Sequence, residues 1–164
     1  MKAASLTELK KELRDLPHSQ VMELCIRLAK YKKENKELLT YLLFEAHDED
    51  AYIKEVKTLI DEQFAEMNKS SLYLAKKTIR KALRTTNKYI KYSGIKQTEV
   101  ELLIHFCKKL KQSKVPLHSG TALGNIFDRQ IDKIIKAIAT LHEDLQHDFL
   151  EELRNENLVS RDKS

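Results

Sequence analysis

Only three glycines and two prolines interrupt this chain of 164 residues. All-β folds and glycine-rich phosphate loops need many more turn-forming residues than that. Leucine, lysine, glutamate, isoleucine and alanine are abundant, and most of these residues favour helices. The sequence therefore predicts an all-α fold of about six to eight helices, packed as a bundle or a short curved helical array. We expect a single domain over residues 1–156, followed by a frayed polar tail over residues 157–164.

Leucines at helical spacing define the beginning of the chain. Ser5 and Glu8 match a capping box at the start of a first helix, and Pro17 both ends it and opens a second. Asn35 is predicted to cap a third helix, although helices two and three could equally form one bent rod. Cys25 and Cys107 lie among apolar residues, which predicts two buried thiols rather than a disulfide.

The strongest charge feature is the stretch from Lys69 to Thr98, which holds nine lysines and arginines and no aspartate or glutamate. The helix predicted over residues 70–93 places an apolar stripe on one side and a line of cations on the other. We call this line of cations the basic ridge: Lys77, Arg80, Lys81, Arg84, Lys88 and Lys91. Tyr73 and Tyr92 border the ridge and are candidates for stacking on unpaired bases.

Charge is distributed unevenly along the chain. Residues 69–114 carry 13 basic and 2 acidic side chains, whereas the segments on either side each have a net charge of −3. Such segmentation has two physical outcomes. Either the acidic helix near Asp61, Glu62 and Glu66 neutralises the basic ridge, or the ridge presents a positive face to a polyanion.

The last third of the chain carries a heptad-like apolar seam, which is typical of a helix that packs along a neighbour or a second subunit. The seam comprises Phe127, Ile131, Ile134, Ile138, Leu141 and Leu145. We therefore predict an unknown protein partner or a homo-oligomer through it. Thr140 and Glu143 match a capping box, so the helix is either continuous through Thr140 or broken there.

Two segments resemble an uncharacterised family of small all-helical bacterial proteins, known only as a domain of unknown function. The first is Leu9-Lys10-Lys11-Glu12-Leu13 with Leu16, Glu23-Leu24 and Tyr31-Lys32-Lys33 after it. The second is Gly124-Asn125-Ile126, where that family tends to have Gly-Asp-Ile at the entry to its final helix. The resemblance implies a helical fold and no activity, and Asn125 departs from the family's aspartate.

Candidate catalytic chemistry is sparse. His142 and His147 are five residues apart, whereas the zinc metalloprotease motif needs a spacing of four. Their acidic neighbours Glu143, Asp144 and Asp148 leave a metal-dependent enzyme as an alternative. No Walker loop or dinucleotide fingerprint is present, so we expect no cofactor, no metal and no catalytic residue.

No apolar run approaches the ~20 residues that span a bilayer, and the N-terminus turns polar at once. We therefore expect a cytoplasmic protein that makes no membrane contact. The sequence favours a non-catalytic protein-binding or scaffolding module. The first alternative is nucleic-acid binding through the basic ridge, and the second is a metal-dependent enzyme that uses residues 142–148.

Overall fold

The computed structural model describes residues 2–159 and is all-α, with eight α-helices and no strand among those residues. This confirms the predicted fold class. The residues group into two compact units, an N-terminal unit that ends at Phe44 and a C-terminal unit that begins at Glu45. The interpretation of residues 1–156 as one domain stays a prediction.

The N-terminal unit holds three helices: α1 (Leu6–Arg14), α2 (His18–Tyr31) and α3 (Lys33–Thr40). A π-helical turn, Tyr41–Glu45, follows α3. The predicted capping box is confirmed, because Ser5 Oγ accepts from Glu8 N while the Glu8 carboxylate accepts from Ser5 N. Helices α2 and α3 are separate and packed together, and the chain between them is extended at Lys32.

Asn35 does not cap α3, which corrects the sequence-based prediction. The helix already begins at Lys33, and the Asn35 amide donates to the carbonyl of Leu28 at 2.8 Å. The side chain therefore bonds to a free carbonyl at the end of α2 instead of a free N–H group at the start of α3.

The C-terminal unit contains the other five helices: α4 (Glu49–Ala65), α5 (Leu72–Ser93), α6 (Lys96–Gln112), α7 (Ala122–Ile138) and α8 (Glu143–Asn155). Helix α6 is its central element and packs against α4, α5 and α7. Its buried side chains include Val100, Leu103, Phe106 and Leu110, all with no exposed surface.

Hydrogen bonds between α4 and α5 show the relative direction of these two helices. Helices α4 and α5 are antiparallel, because Ser93 bonds to Glu49 and Tyr52 bonds to the carbonyl of Tyr89. Helix α7 ends at Ile138 and α8 begins at Glu143, so the helix is broken near Thr140. The N-cap of α8 is His142 rather than Thr140.

The predicted tail lies partly outside the part of the chain that the structure describes, which ends at residue 159. Within that part, Leu158 is buried and Lys111 donates to the carbonyl of Asn157. The first residues of the predicted tail therefore contact the other residues of the C-terminal unit.

Candidate functional site

Helix α5 is the element that presents the basic ridge. Its N-terminus is capped by Ser71, whose hydroxyl accepts from Leu74 N, and Gly94 ends it with φ of +69°. Ala75, Ile79 and Ala82 line the face that is buried in the C-terminal unit. Burial of that stripe fixes the opposite face of the helix toward solvent.

Five of the six ridge cations are exposed, and none of these five makes an ion pair with any side chain of residues 2–159. They are Lys77, Arg80, Lys81, Arg84 and Lys91. The ridge extends over about 21 Å at 1.5 Å per residue. The charges of these five side chains are therefore not paired with a carboxylate of the described residues.

Lys88 differs from the other ridge cations. It is half-buried, and its ammonium lies 4.8 Å from the ring centroid of Tyr89 and 5.9 Å from that of Tyr92. Such cation–π contacts hold the lysine head close to the protein surface. Lys88 is the least accessible member of the basic ridge.

The two tyrosines predicted to stack on bases have different environments. Tyr73 is 76% exposed, whereas Tyr92 is only 9% exposed and packs edge-on against Tyr89 at 5.7 Å. The prediction that Tyr92 stacks on a base is therefore wrong, because the ring is buried and its faces are not open to a base. Tyr73 remains a candidate for stacking.

Of the three acidic side chains that could have neutralised the ridge, Asp61 is paired with a different helix. Asp61 contacts Nε2 of His105 at 2.6 Å and the ammonium of Lys109 at 3.1 Å. Both partners lie on α6, so Asp61 belongs to the contact between α4 and α6. Glu62 near the end of α4 and Glu66 just after it are exposed and make no ion pair with a described side chain.

Two pKa shifts follow from these internal contacts. Burial lowers the pKa of His105 below its ordinary value, although the bond to Asp61 opposes the shift. The neutral ring therefore donates through Nε2 to the carboxylate. Burial raises the pKa of the Glu99 carboxyl, but its ion pairs with Lys96 at 2.7 Å and Lys133 at 3.3 Å outweigh this and hold the pKa below its usual range.

The histidine and acid cluster on α8 does not assemble into a metal site. His142, Glu143, Asp144, His147 and Asp148 are all exposed, and no group of three His, Cys, Asp or Glu residues within 2–159 is arranged to hold a metal ion. The closest contacts in the cluster are His142 with Asp144 at 3.6 Å and His147 with Glu151 at 3.9 Å. These are ordinary surface pairs.

The cysteines also differ from each other. Cys107 is buried in α6, and burial raises the pKa of its thiol to about 12, which makes it a poor nucleophile. Cys25 is exposed, contrary to the prediction of two buried thiols. Its neighbours on the same stripe, Leu24 and Leu28, are also exposed.

The apolar seam contributes partly to the chain's own core. Ile134 and Ile138 are buried within the C-terminal unit, and the other four seam residues are half-buried. A partner contact through this seam stays a prediction.

Sequence reasoning missed the largest apolar surface, which is in the N-terminal unit. Helices α1, α2 and α3 contain no buried residue, and Leu6 is 84% exposed. Among residues 2–159, eleven of the fifteen large apolar side chains that are exposed belong to this unit: Leu6, Leu9, Leu13, Met22, Leu24, Ile26, Leu28, Tyr31, Leu42, Leu43 and Phe44.

A groove of about 370 Å³ runs along this surface between α2 and α3. We call it the apolar groove, and it is lined by Cys25, Leu28, Ala29, Asn35, Leu38, Leu39 and Leu42. One feature of the sequence indicates this surface. On a helical wheel of α2, the apolar side chains occupy an arc of about 220°, from Tyr31 to Ile26. This arc is wider than one neighbouring helix can cover.

No family model, curated protein or solved structure matches the chain. Across residues 2–159, no helix is both long enough and apolar enough to cross a bilayer.

Proposed function

We propose that this chain is a non-catalytic module that binds another polypeptide through the apolar surface of its N-terminal unit. The observation that carries the proposal is that three successive amphipathic helices contain no buried side chain. Contiguous apolar patches of this size are uncommon on monomeric proteins and mark interaction surfaces.

The energetics support binding. Complete burial of one leucine side chain contributes about 1.5–3 kcal/mol. Association costs on the order of 4–15 kcal/mol in lost translational and rotational freedom. Burial of five or six of the eleven exposed side chains contributes up to about 8–18 kcal/mol, which is of the same order as this cost.

Photo-crosslinking tests this proposal. Tyr31, at the end of α2, is 76% exposed, so the site has room for the additional benzoyl group when benzoylphenylalanine replaces the tyrosine. We expect irradiation of cells that express this variant to give discrete covalent adducts between polypeptides, because a bound partner covers the ring. Mass spectrometry of the adducts identifies the second polypeptide.

Tyr73 provides a matched control, because it is also 76% exposed but lies on α5 in the C-terminal unit. We expect several-fold fewer protein adducts from the same photoreactive group at that position. A second control is Leu28→Glu, which places a charge in the apolar groove and is expected to remove the Tyr31 adducts. Equal yields at both tyrosines, or yields unaffected by Leu28→Glu, would contradict the proposal.

A second candidate function, nucleic-acid or other polyanion binding, is favoured by the five exposed ridge cations that lack a carboxylate partner among residues 2–159. Each phosphate neutralised by a lysine or arginine releases condensed counterions, so the affinity depends steeply on salt. Tyr73, near the start of the ridge, offers an exposed ring for base stacking.

Charge reversal of Arg80, Lys81 and Arg84 to Glu tests this second function. We expect the plot of log Kd against log salt for a single-stranded oligonucleotide to flatten by about two units, at about 0.7 per lost phosphate contact. Retention on heparin should fall in parallel. All three side chains are exposed, so the substitutions should leave the helical core intact.

The matched control reverses three exposed cations outside α5, namely Lys54, Arg129 and Lys136, and produces the same change in net charge. We expect this control to retain more than half of the salt slope. If both triple variants weaken binding equally, net charge and not the ridge determines retention. If the ridge variant binds like the unmodified chain, the polyanion function is excluded.

Three further predictions from the sequence concern the family resemblance, the location and a metal-dependent enzyme. The resemblance to an uncharacterised bacterial family and the cytoplasmic location are compatible with a binding module and imply no activity. No observation favours the metal-dependent enzyme, since the residues near His142 lie apart and in solvent.

A further inference from the structure

We propose that the partner of the N-terminal unit is a second copy of this chain, with the two α2–α3 hairpins packed groove to groove around a two-fold axis. This inference rests on the proposed protein-binding function and names its occupant. The resulting assembly is a four-helix arrangement built from two identical hairpins.

The charge of the apolar groove fits a second copy. In an isologous interface, the same patch of each subunit meets near the two-fold axis. A charged patch there would face an identical charge and be repelled, whereas an uncharged patch would not. The lining of the apolar groove contains no charged residue. The opposite side of α2 differs, because the groove there is lined by Glu23, Arg27 and Lys30 beside Met22 and Ile26.

The single polar side chain in the apolar groove is bonded within its own chain. Asn35 donates its amide nitrogen to the carbonyl of Leu28. This bond satisfies two polar groups that would otherwise lose contact with water when the groove is covered. Burial of the groove against another apolar surface therefore leaves the Leu28 carbonyl and one Asn35 N–H paired, and it leaves the Asn35 side-chain oxygen at the edge, where it stays in water or meets a donor of the second copy.

The two helices of the hairpin also match in length. Helix α2 has 14 residues, while α3 and the π-helical turn together have 8 and 5. Both arms therefore extend over about 20 Å at 1.5 Å per residue. Because the two helical segments of each hairpin are equally long, two hairpins can pack along their whole length without leaving an apolar helix end uncovered.

The available area is sufficient for a stable dimer. Six exposed apolar side chains of the hairpin lie outside its charged side, and together they expose on the order of 700 Å² per chain, within the roughly 600–1,000 Å² per partner of a standard interface: Leu24, Leu28, Tyr31, Leu42, Leu43 and Phe44. A unit of about 44 residues is also close to the size below which helical domains depend on oligomerisation.

Sedimentation equilibrium of the full-length chain tests the inference. From about 1 to about 100 μM we expect a reversible monomer–dimer equilibrium that approaches twice 19.2 kDa. Leu28→Glu and Leu42→Glu, both at exposed positions of the apolar groove, should each raise the dissociation constant by about 100-fold or more. Circular dichroism should show unchanged helix content in both variants.

Met22→Glu is the matched control, because Met22 is an exposed apolar residue on the charged side of the same helix and lines neither groove between α2 and α3. We expect it to leave the dimer intact. A monomeric wild-type chain at about 100 μM overturns the inference, as does a dimer that Leu28→Glu and Leu42→Glu do not weaken.

The Tyr31 adducts separate failure of this inference from failure of the proposed function. Adducts of the chain with itself at twice its mass support both. A monomer with adducts to a different polypeptide overturns the second copy and keeps the protein-binding function. A monomer with only intramolecular crosslinks or none overturns both.

Discussion

Replacement of Gly124 by alanine is expected to destabilise the protein by about 3 kcal/mol. Gly124 lies in the first turn of α7, and a Cβ atom added there would be 2.1 Å from the carbonyl oxygen of His118 and 2.8 Å from its carbon. These are backbone atoms, and the oxygen is held by Thr121, which donates to it from its amide at 3.1 Å and its hydroxyl at 2.7 Å. The loop cannot yield without losing both bonds. Urea denaturation monitored by circular dichroism measures the loss.

Gly94→Ala provides the comparison, because Gly94 has φ of +69° but nothing lies within 4 Å of an added Cβ. Backbone strain alone should cost about 1–2 kcal/mol there. Helix propensity would instead predict that Gly124→Ala stabilises a helix by up to about 1 kcal/mol. A stabilised Gly124→Ala variant would therefore contradict the close approach of the His118 carbonyl.

Truncation of Phe106 to alanine is expected to lower the free energy of unfolding by about 3–5 kcal/mol. Phe106 is at the centre of α6 with no exposed surface, and its ring meets that of Phe64 edge-to-face at 5.7 Å. The substitution leaves a cavity between α4 and α6 and removes the favourable ring contact. The shift in urea midpoint at constant slope measures the change.

Tyr73→Ala is the control for this truncation, because it also removes an aromatic ring but from a side chain that is 76% exposed. We expect a change within about 0.5 kcal/mol. Similar losses for the two variants would mean that Phe106 is not part of the core on which α4 and α6 pack.

Local features of the helices were predictable from the sequence, because they depend on neighbouring residues. The capping box at Ser5, the end of α5 at Gly94 and the apolar stripe of α5 all agree with the structure. A cap or a stripe needs only residues within about one turn of each other. Asn35 was assigned incorrectly because its partner is a carbonyl seven positions away.

The sequence left open whether acidic side chains neutralise the basic ridge, and tertiary packing leaves five of its six cations exposed without an ion pair to a described side chain. Asp61 might have neutralised α5, but it bonds to His105 and Lys109 on α6 instead. Tyr92 shows the same dependence in the other direction, since packing against Tyr89 buries a ring that the helical wheel placed beside the ridge.

By itself the sequence determined that the chain is helical, where α1 begins and where α5 ends, and which residues share a face. Only the tertiary structure decided which faces are covered. Leu28 and Leu103 are both apolar residues on amphipathic helices, yet the first is exposed in the N-terminal unit and the second is buried in α6. Helical periodicity is a property of adjacent turns, whereas burial depends on elements distant in sequence that pack against them.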